Sequence, residues 1–236
     1  MLEEIDLSNF KSENIIELIG TFKNCKNLDK INFINLDTSN VIRMDEMFYG
    51  CGSLEHLNIS SFYLDNLRYS SYMFYSCGKL TSITFNDNIS TKNLIDMNHM
   101  FDSCSKLRKI DMKIFKENKL TNLNYVFKDC NLLTEIDLSD FKSQNITELN
   151  GTFYGCGNLI KINFTNFDTS KVVIMDYMFY GCPLLEHLNI SSFNFENLRS
   201  SSYQFNMYGT NSLMNLFHGL SLLGRIVPLM RRWTLR

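Results

Sequence analysis

The stretch that decides the fold is Met47-Phe48-Tyr49-Gly50-Cys51-Gly52-Ser53-Leu54-Glu55-His56-Leu57-Asn58-Ile59-Ser60-Ser61-Phe62, because versions of it recur along the chain. Cysteines stand at 25, 51, 77, 104, 130, 156 and 182, a step of 26 residues with a single 27 between Cys77 and Cys104. A phenylalanine precedes each by three residues, from Phe22 to Phe179, and Phe205 keeps the step after the cysteines stop. Self-similarity at a period of this size signals a stack of equivalent coils. Each coil buries its apolar face only against its neighbours.

One coil can be read from residues 40–65. Leu57 and Ile59 alternate with His56, Asn58 and Ser60, the period of two expected of a short strand with one buried face. Before them, Val41, Met44, Met47, Phe48 and Cys51 recur at steps of three and one, which predicts one face of a helix or a run of 3₁₀ turns. Asp37, Thr38, Ser39 and Asn40 supply short polar side chains for the first free backbone N–H groups of that return. Gly50 and Gly52 stand where a left-handed residue ends it. The expected fold is an α/β repeat solenoid of about eight 26-residue coils, each a strand, a polar turn and a short helical return, with the strands in one parallel sheet.

Two further columns follow from the period. Phe10, Leu36, Phe62, Ile89, Phe115, Phe141, Phe167 and Phe193 form a second apolar ladder just after the strand. Asn14, Asn40, Asn66, Asn93, Asn145 and Asn197 form a polar one before the return, with Lys119 and Lys171 in its other rungs. The extra residue of the fourth coil falls at 86–88, where a bulged turn would absorb it.

The pattern M-F-x-x-C-x-x-L-x-x-L-x-L/I-S-x-F-D-T-S-x-V, carried here by 47–62 and 167–182, resembles the BspA-like leucine-rich-repeat surface proteins, in particular their mycoplasma-type repeats of about 25 residues. The resemblance covers residues 2–213. It implies a right-handed leucine-rich-repeat solenoid at the cell surface, adhesin-like and without catalysis, that binds a protein of a host or neighbouring cell. Residues 2–74 and 133–205 are also near-copies, for example Glu55–Phe62 against Glu186–Phe193. The copies are offset by 131 residues, five coils, and duplication of a five-coil block suits a binding surface, where length has value, better than refinement of one catalytic pocket.

Net charge is −2 with mixed signs, which gives no electrostatic case for nucleic acid or an anionic membrane. The seven cysteines recur once per coil and include no C-x-x-C pair. Zinc ligands must converge, and thiols in one column point the same way, so free buried thiols are expected rather than a metal site or disulfides. Such thiols suit a reducing compartment. The unbroken register argues for one solenoid over 1–213, followed by a C-terminal cap or irregular tail at 214–236 that contains the only Trp, at 233. Leu2, Ile5 and Leu7 already form a strand pattern with no apolar leader before them. A first coil left uncovered would favour end-to-end association, and the missing leader leaves a cytoplasmic location as the alternative to the surface. No stretch of the tail is long enough and free enough of arginine to span a membrane.

The candidate binding face is the outward side of the strands. Its central column reads Asp6, Asn32, Asn58, Thr84, Asp111, Asp137, Asn163 and Asn189. Beside it lie His56, Lys109, Lys161 and His187. Such amides and carboxylates can bond one another along a ladder or offer a polar recognition face to a protein or glycan. Asp111 and Asp137, on adjacent rungs, have a spacing compatible with a glycosidase carboxylate pair. A flat face, however, provides no cleft and nothing to separate their pKa values. No cofactor, catalytic residue or metal ligand set is expected. An intracellular leucine-rich-repeat scaffold or substrate-recognition protein is the rival reading.

Overall fold

The computed structural model describes residues 2–10, 14–86, 89–190 and 192–200. Phe205, the middle of the expected bulge and the expected cap at 214–236 lie outside them. The described chain is a leucine-rich-repeat solenoid. Its strands are β1 (Glu4–Asp6), β2 (Lys30–Asn32), β3 (His56–Asn58), β4 (Ser82–Thr84), β5 (Glu135–Asp137), β6 (Lys161–Asn163) and β7 (His187–Leu188). All pairings are parallel and join residues one period apart, as in Ile5 with Ile31 and Ile136 with Ile162.

The columns stack as the period requires. Phe22, Phe48, Phe74, Phe101, Phe127, Phe153 and Phe179 form one continuous pile. Successive ring centroids are 5.5 to 6.0 Å apart and the ring planes lie within 13° of parallel. In the second ladder Leu36, Phe62, Phe115, Phe141 and Phe167 are buried, while Phe10, at the outer face of the first described turn, is 50% exposed. Asn66, Asn93 and Asn197 each donate a side-chain N–H to a backbone carbonyl of the coil before. Lys119 and Lys171 reach the Oδ1 of the preceding Asn instead. The Asp-Thr-Ser turns are satisfied in both directions. Asp37 and Asp168 accept the N–H of Ser39 and Ser170, while buried Thr38 and Thr169 each exchange two hydrogen bonds with the next coil.

Two expectations are corrected. The strands do not make one unbroken sheet. They form hydrogen-bonded groups β1-β2, β3-β4 and β5-β6-β7, and residues 109–111, expected as a strand, form none. Asp111 instead caps a 3₁₀ turn over Met112–Phe115, accepting from the Lys113 N–H at 3.0 Å.

The return is not helical either. Met47, Tyr49 and Cys51 donate three residues back, as in 3₁₀ turns, but Met44, Glu46, Phe48 and Gly50 donate to carbonyls of the next coil. A helix spends its N–H groups within itself, whereas here every second one stitches coils together. The alternation requires left-handed backbone at Glu46, Tyr72, His99, Tyr125 and Tyr177 (φ +55° to +57°) and at Gly151 (φ +53°). Parallel bridges such as Arg43 to Tyr69 and Glu148 to Ile174 extend this second ladder.

Candidate functional site

The strand face places its polar residues outward because their apolar neighbours Leu57, Ile136 and Ile162 point into the core. Backbone pairing brings together Asp6 with Asn32, Asn58 with Thr84, and Asp137 with Asn163. It also sets Lys161 beside His187. Asn32 and Asn58 are not joined by a strand ladder, nor are Thr84 and Asp111, and Asn189 lies just past the end of β7.

The central column is held locally. Asp6, Asn32, Asn58, Asp111, Asp137 and Asn163 each accept the backbone N–H two residues on, at 2.9 to 3.1 Å. Five of them close the turn that follows their strand and Asp111 caps its 3₁₀ turn in the same way, which accounts for the recurrence of Asp and Asn there. These bonds favour the ionised form: the Ser8 and Ser139 N–H groups hold the carboxyls of Asp6 and Asp137 below the usual range. The flanking residues are freer. His56 Nδ1 lies 2.9 Å from Ser82 Oγ, and Lys109 faces Glu135 at 4.0 Å across exposed side chains. Where the fifth strand is missing, the face sinks into a depression of about 310 Å³ lined by Lys109, Asp111, Glu135, Asp137, Lys161 and Asn163. Ile34 (70% exposed) and Tyr63 (58% exposed) flank a second depression beside Asn35, Ser60 and Asn86.

A second constellation occupies the turn side of the coils, and the sequence reading did not single it out. His99 is sandwiched between Tyr72 and Tyr125, with centroids 4.5 and 4.8 Å away. Its Nδ1 lies 2.8 Å from Oδ2 of Asp102, which is only 1% exposed. Asp102 also accepts from Ser103 Oγ at 2.8 Å and pairs with Lys128 at 3.3 Å, and Lys128 reaches Asp129 at 3.1 Å. A buried carboxylate is tolerated only when partnered in this way. Burial, with the Asp102 charge second, raises the pKa of the Tyr72 phenol. The available signal was the column Glu46, Tyr72, His99, Tyr125, Gly151, Tyr177, whose aromatic character shows once the left-handed position is used as the register mark.

The cysteines are free. Burial raises the pKa of Cys51 to about 12 and pushes Cys77, Cys104, Cys130 and Cys156 up as well. Among the described residues no group of three or more His, Cys, Asp or Glu could hold a metal ion. No described helix is long and apolar enough to cross a membrane.

Comparison with known proteins agrees with this architecture. The family model described as "Mycoplasma protein of unknown function, DUF285" matches residues 2–113 and 95–215. A search of curated proteins found no match. Among solved structures, a T. pallidum leucine-rich-repeat protein superposes with a TM-score of 0.56 at 21% identity, covering 78% of each chain. A Eubacterium ventriosum leucine-rich-repeat protein gives 0.43 at 15% identity, covering 86% of this chain and 58% of its own. A leucine-rich cell-surface protein of Faecalibacterium prausnitzii gives 0.28 at 16%, covering 91% and 75%. The T. pallidum superposition supports the fold.

Proposed function

Since the chain belongs to the DUF285 family of mycoplasma proteins and folds as a leucine-rich-repeat solenoid, we propose that it is a protein-binding, adhesin-like surface module that engages its partner through the strand face. The observation that carries this reading is the depression over residues 109–163. There, where no fifth strand forms, the face has a recess rimmed by both signs of charge. Alternating Lys109, Glu135 and Lys161 suit a protein surface of mixed charge, since a polyanion would select one sign. Locking of the central column by its own turns means that partner contacts order few side chains, which lowers the entropic cost of binding.

Beads coated with the chain should adhere to cultured animal cells. Replacing the exposed residues Lys109, Glu135 and Lys161 together by Ser should abolish adhesion without changing the melting temperature. Undiminished adhesion by that variant would remove the strand face from the proposal.

The rival, an intracellular scaffold, draws support from the six buried, unbridged thiols, which suit a reducing compartment. Protease treatment of intact source cells separates the two: digestion supports the surface, full protection the interior.

A further inference from the structure

We propose that the tyrosine-bearing turn ridge is a pairing surface for a second copy of this chain, docked antiparallel about a two-fold axis that crosses the ridge between the rungs of Asp102 and Lys128. The inference is separate from the strand-face reading, because the two faces share no residues.

Residue type comes first. Of the nine tyrosines among the described residues, all but Tyr63 lie in three columns of the turn side. Tyrosine is enriched at the centres of protein interfaces, where its ring buries and its hydroxyl stays paired. These rings are stacked on one another, Tyr49 on Tyr75 at 4.6 Å and Tyr154 on Tyr180 at 4.9 Å. They present fixed edges at a fixed pitch and lose little freedom on docking.

The order of residues along the ridge then selects the partner. One column reads Lys23, Tyr49, Tyr75, Asp102, Lys128, Tyr154, Tyr180. Reversed, it sets Tyr49 against Tyr180 and Tyr75 against Tyr154, and it places the Lys128 rung over the rung of Asp102 and Ser103. In the neighbouring column the centre also pairs ring with ring, His99 meeting Tyr125. The Tyr125 ring covers Gly151, so the partner's Tyr72 meets that ring, and at the ends Glu46 meets Tyr177. A surface that matches its own reversal is the requirement for an isologous interface. Only a rod of the same pitch keeps all these rungs aligned, and a second copy has that pitch by construction. Within each chain Lys128 contacts both Asp102 and Asp129, and across the axis the Lys128 rung of each copy faces the Asp102 rung of the other, so opposite charges meet there.

The test uses the full chain. Wild type should sediment as a dimer. Tyr49→Glu with Tyr180→Glu should sediment at half that mass, as should Tyr49→Lys with Tyr180→Lys, and an equimolar mixture of the two variants should restore the dimer. Photo-oxidative dityrosine cross-linking of the wild type needs no substitution and covers the case in which the variants misfold. It should link Tyr49 to Tyr180, which are five rungs or ~24 Å apart within one chain and so meet only between chains. A monomeric wild type, dimers indifferent to both substitutions, or cross-linked dimers without the Tyr49–Tyr180 link would overturn the proposal. None of these results bears on adhesion through the strand face.

Discussion

Cys77 Sγ lies 3.1 Å from the backbone carbonyl oxygen of Phe48, so the thiol of one coil donates to the coil before it. The same contact joins Cys51 to Phe22, Cys104 to Phe74, Cys130 to Phe101, Cys156 to Phe127 and Cys182 to Phe153, at 3.0 to 3.1 Å. The cysteine column is therefore a line of weak donors sealed inside the stack.

Sealed thiols should be chemically silent, because the thiolate is the reactive form and needs access. Under native conditions a thiol reagent should modify Cys25, the only half-exposed cysteine, well before the other six. Those six should then react at a rate that follows unfolding. Seven thiols reacting at one rate would contradict the buried ladder.

The raised thiol pKa values carry a stability consequence on the alkaline side. In the unfolded chain a thiol loses its proton near pH ~8.5, whereas the folded chain keeps it. The native state then binds more protons, so stability is full below the unfolded value and falls as pH rises toward the folded one. For Cys51 that window ends at about 12. Each such thiol contributes a slope of up to ~1.4 kcal/mol per pH unit. Urea midpoints should drop between pH ~8.5 and ~10.5, and Cys104→Ala should flatten the drop.

The phenylalanine pile should dominate stability. Phe101 is fully buried between Phe74 and Phe127, and Phe101→Ala should cost ~3–5 kcal/mol as a cavity-forming change. Phe10→Ala, at a half-exposed site of the same residue type, should cost under ~1 kcal/mol by its smaller buried area. Equal losses in denaturant melts would mean that the pile is not the core.

Gly151 tests the turn ridge. Tyr72, His99, Tyr125 and Tyr177 adopt its left-handed backbone with side chains present, so the backbone alone does not demand glycine. The ring of Tyr125 occupies the space a Cβ at 151 would take. Gly151→Ala should therefore cost more than the ~1–2 kcal/mol of a left-handed alanine, and Tyr125→Ala should reduce the penalty to about that value. A double-mutant cycle with no coupling would reject the ring as the cause.

Asp137 supplies an acid-side counterpart. Its carboxyl pKa is lowered chiefly by the Ser139 N–H, so its contribution is present above the ordinary carboxylate pKa of ~3.9 and lost as pH falls through the lowered value. Asp137→Asn keeps the turn-closing acceptor, as Asn58 does, and should remove that part of the acid loss. An unchanged acid limb in thermal melts would exclude the Ser139 bond as its source.

The period made the coils, both apolar ladders and the free thiols legible before any coordinates, because one residue type per rung marks each buried column. The return was misread because steps of three and one mark a buried face whether backbone N–H groups close within the segment or reach the next coil. Only the left-handed residues distinguish the two, and here most are not glycine: Glu46, Tyr72, His99, Tyr125 and Tyr177. Lys109 and Asp111 matched the strand pattern, yet Met112 and Phe115 are both buried, which suits a 3₁₀ turn and draws the backbone out of line. Asp102 stayed hidden because its partners come from different coils, His99 and Ser103 from its own and Lys128 from the next. No column shows such a cluster as a repeated letter.

The backward thiol-to-carbonyl contact recurs at six seams between coils and gives each of them the same buried joint. A rod can be cut and rejoined at any such seam, provided whole coils are exchanged. Unequal recombination of the gene would then add or delete coils without a new joint having to evolve, and the duplicated block at 2–74 and 133–205 is what such an event leaves behind. Reach, the distance this rod spans, is thus the property its lineage can change most readily.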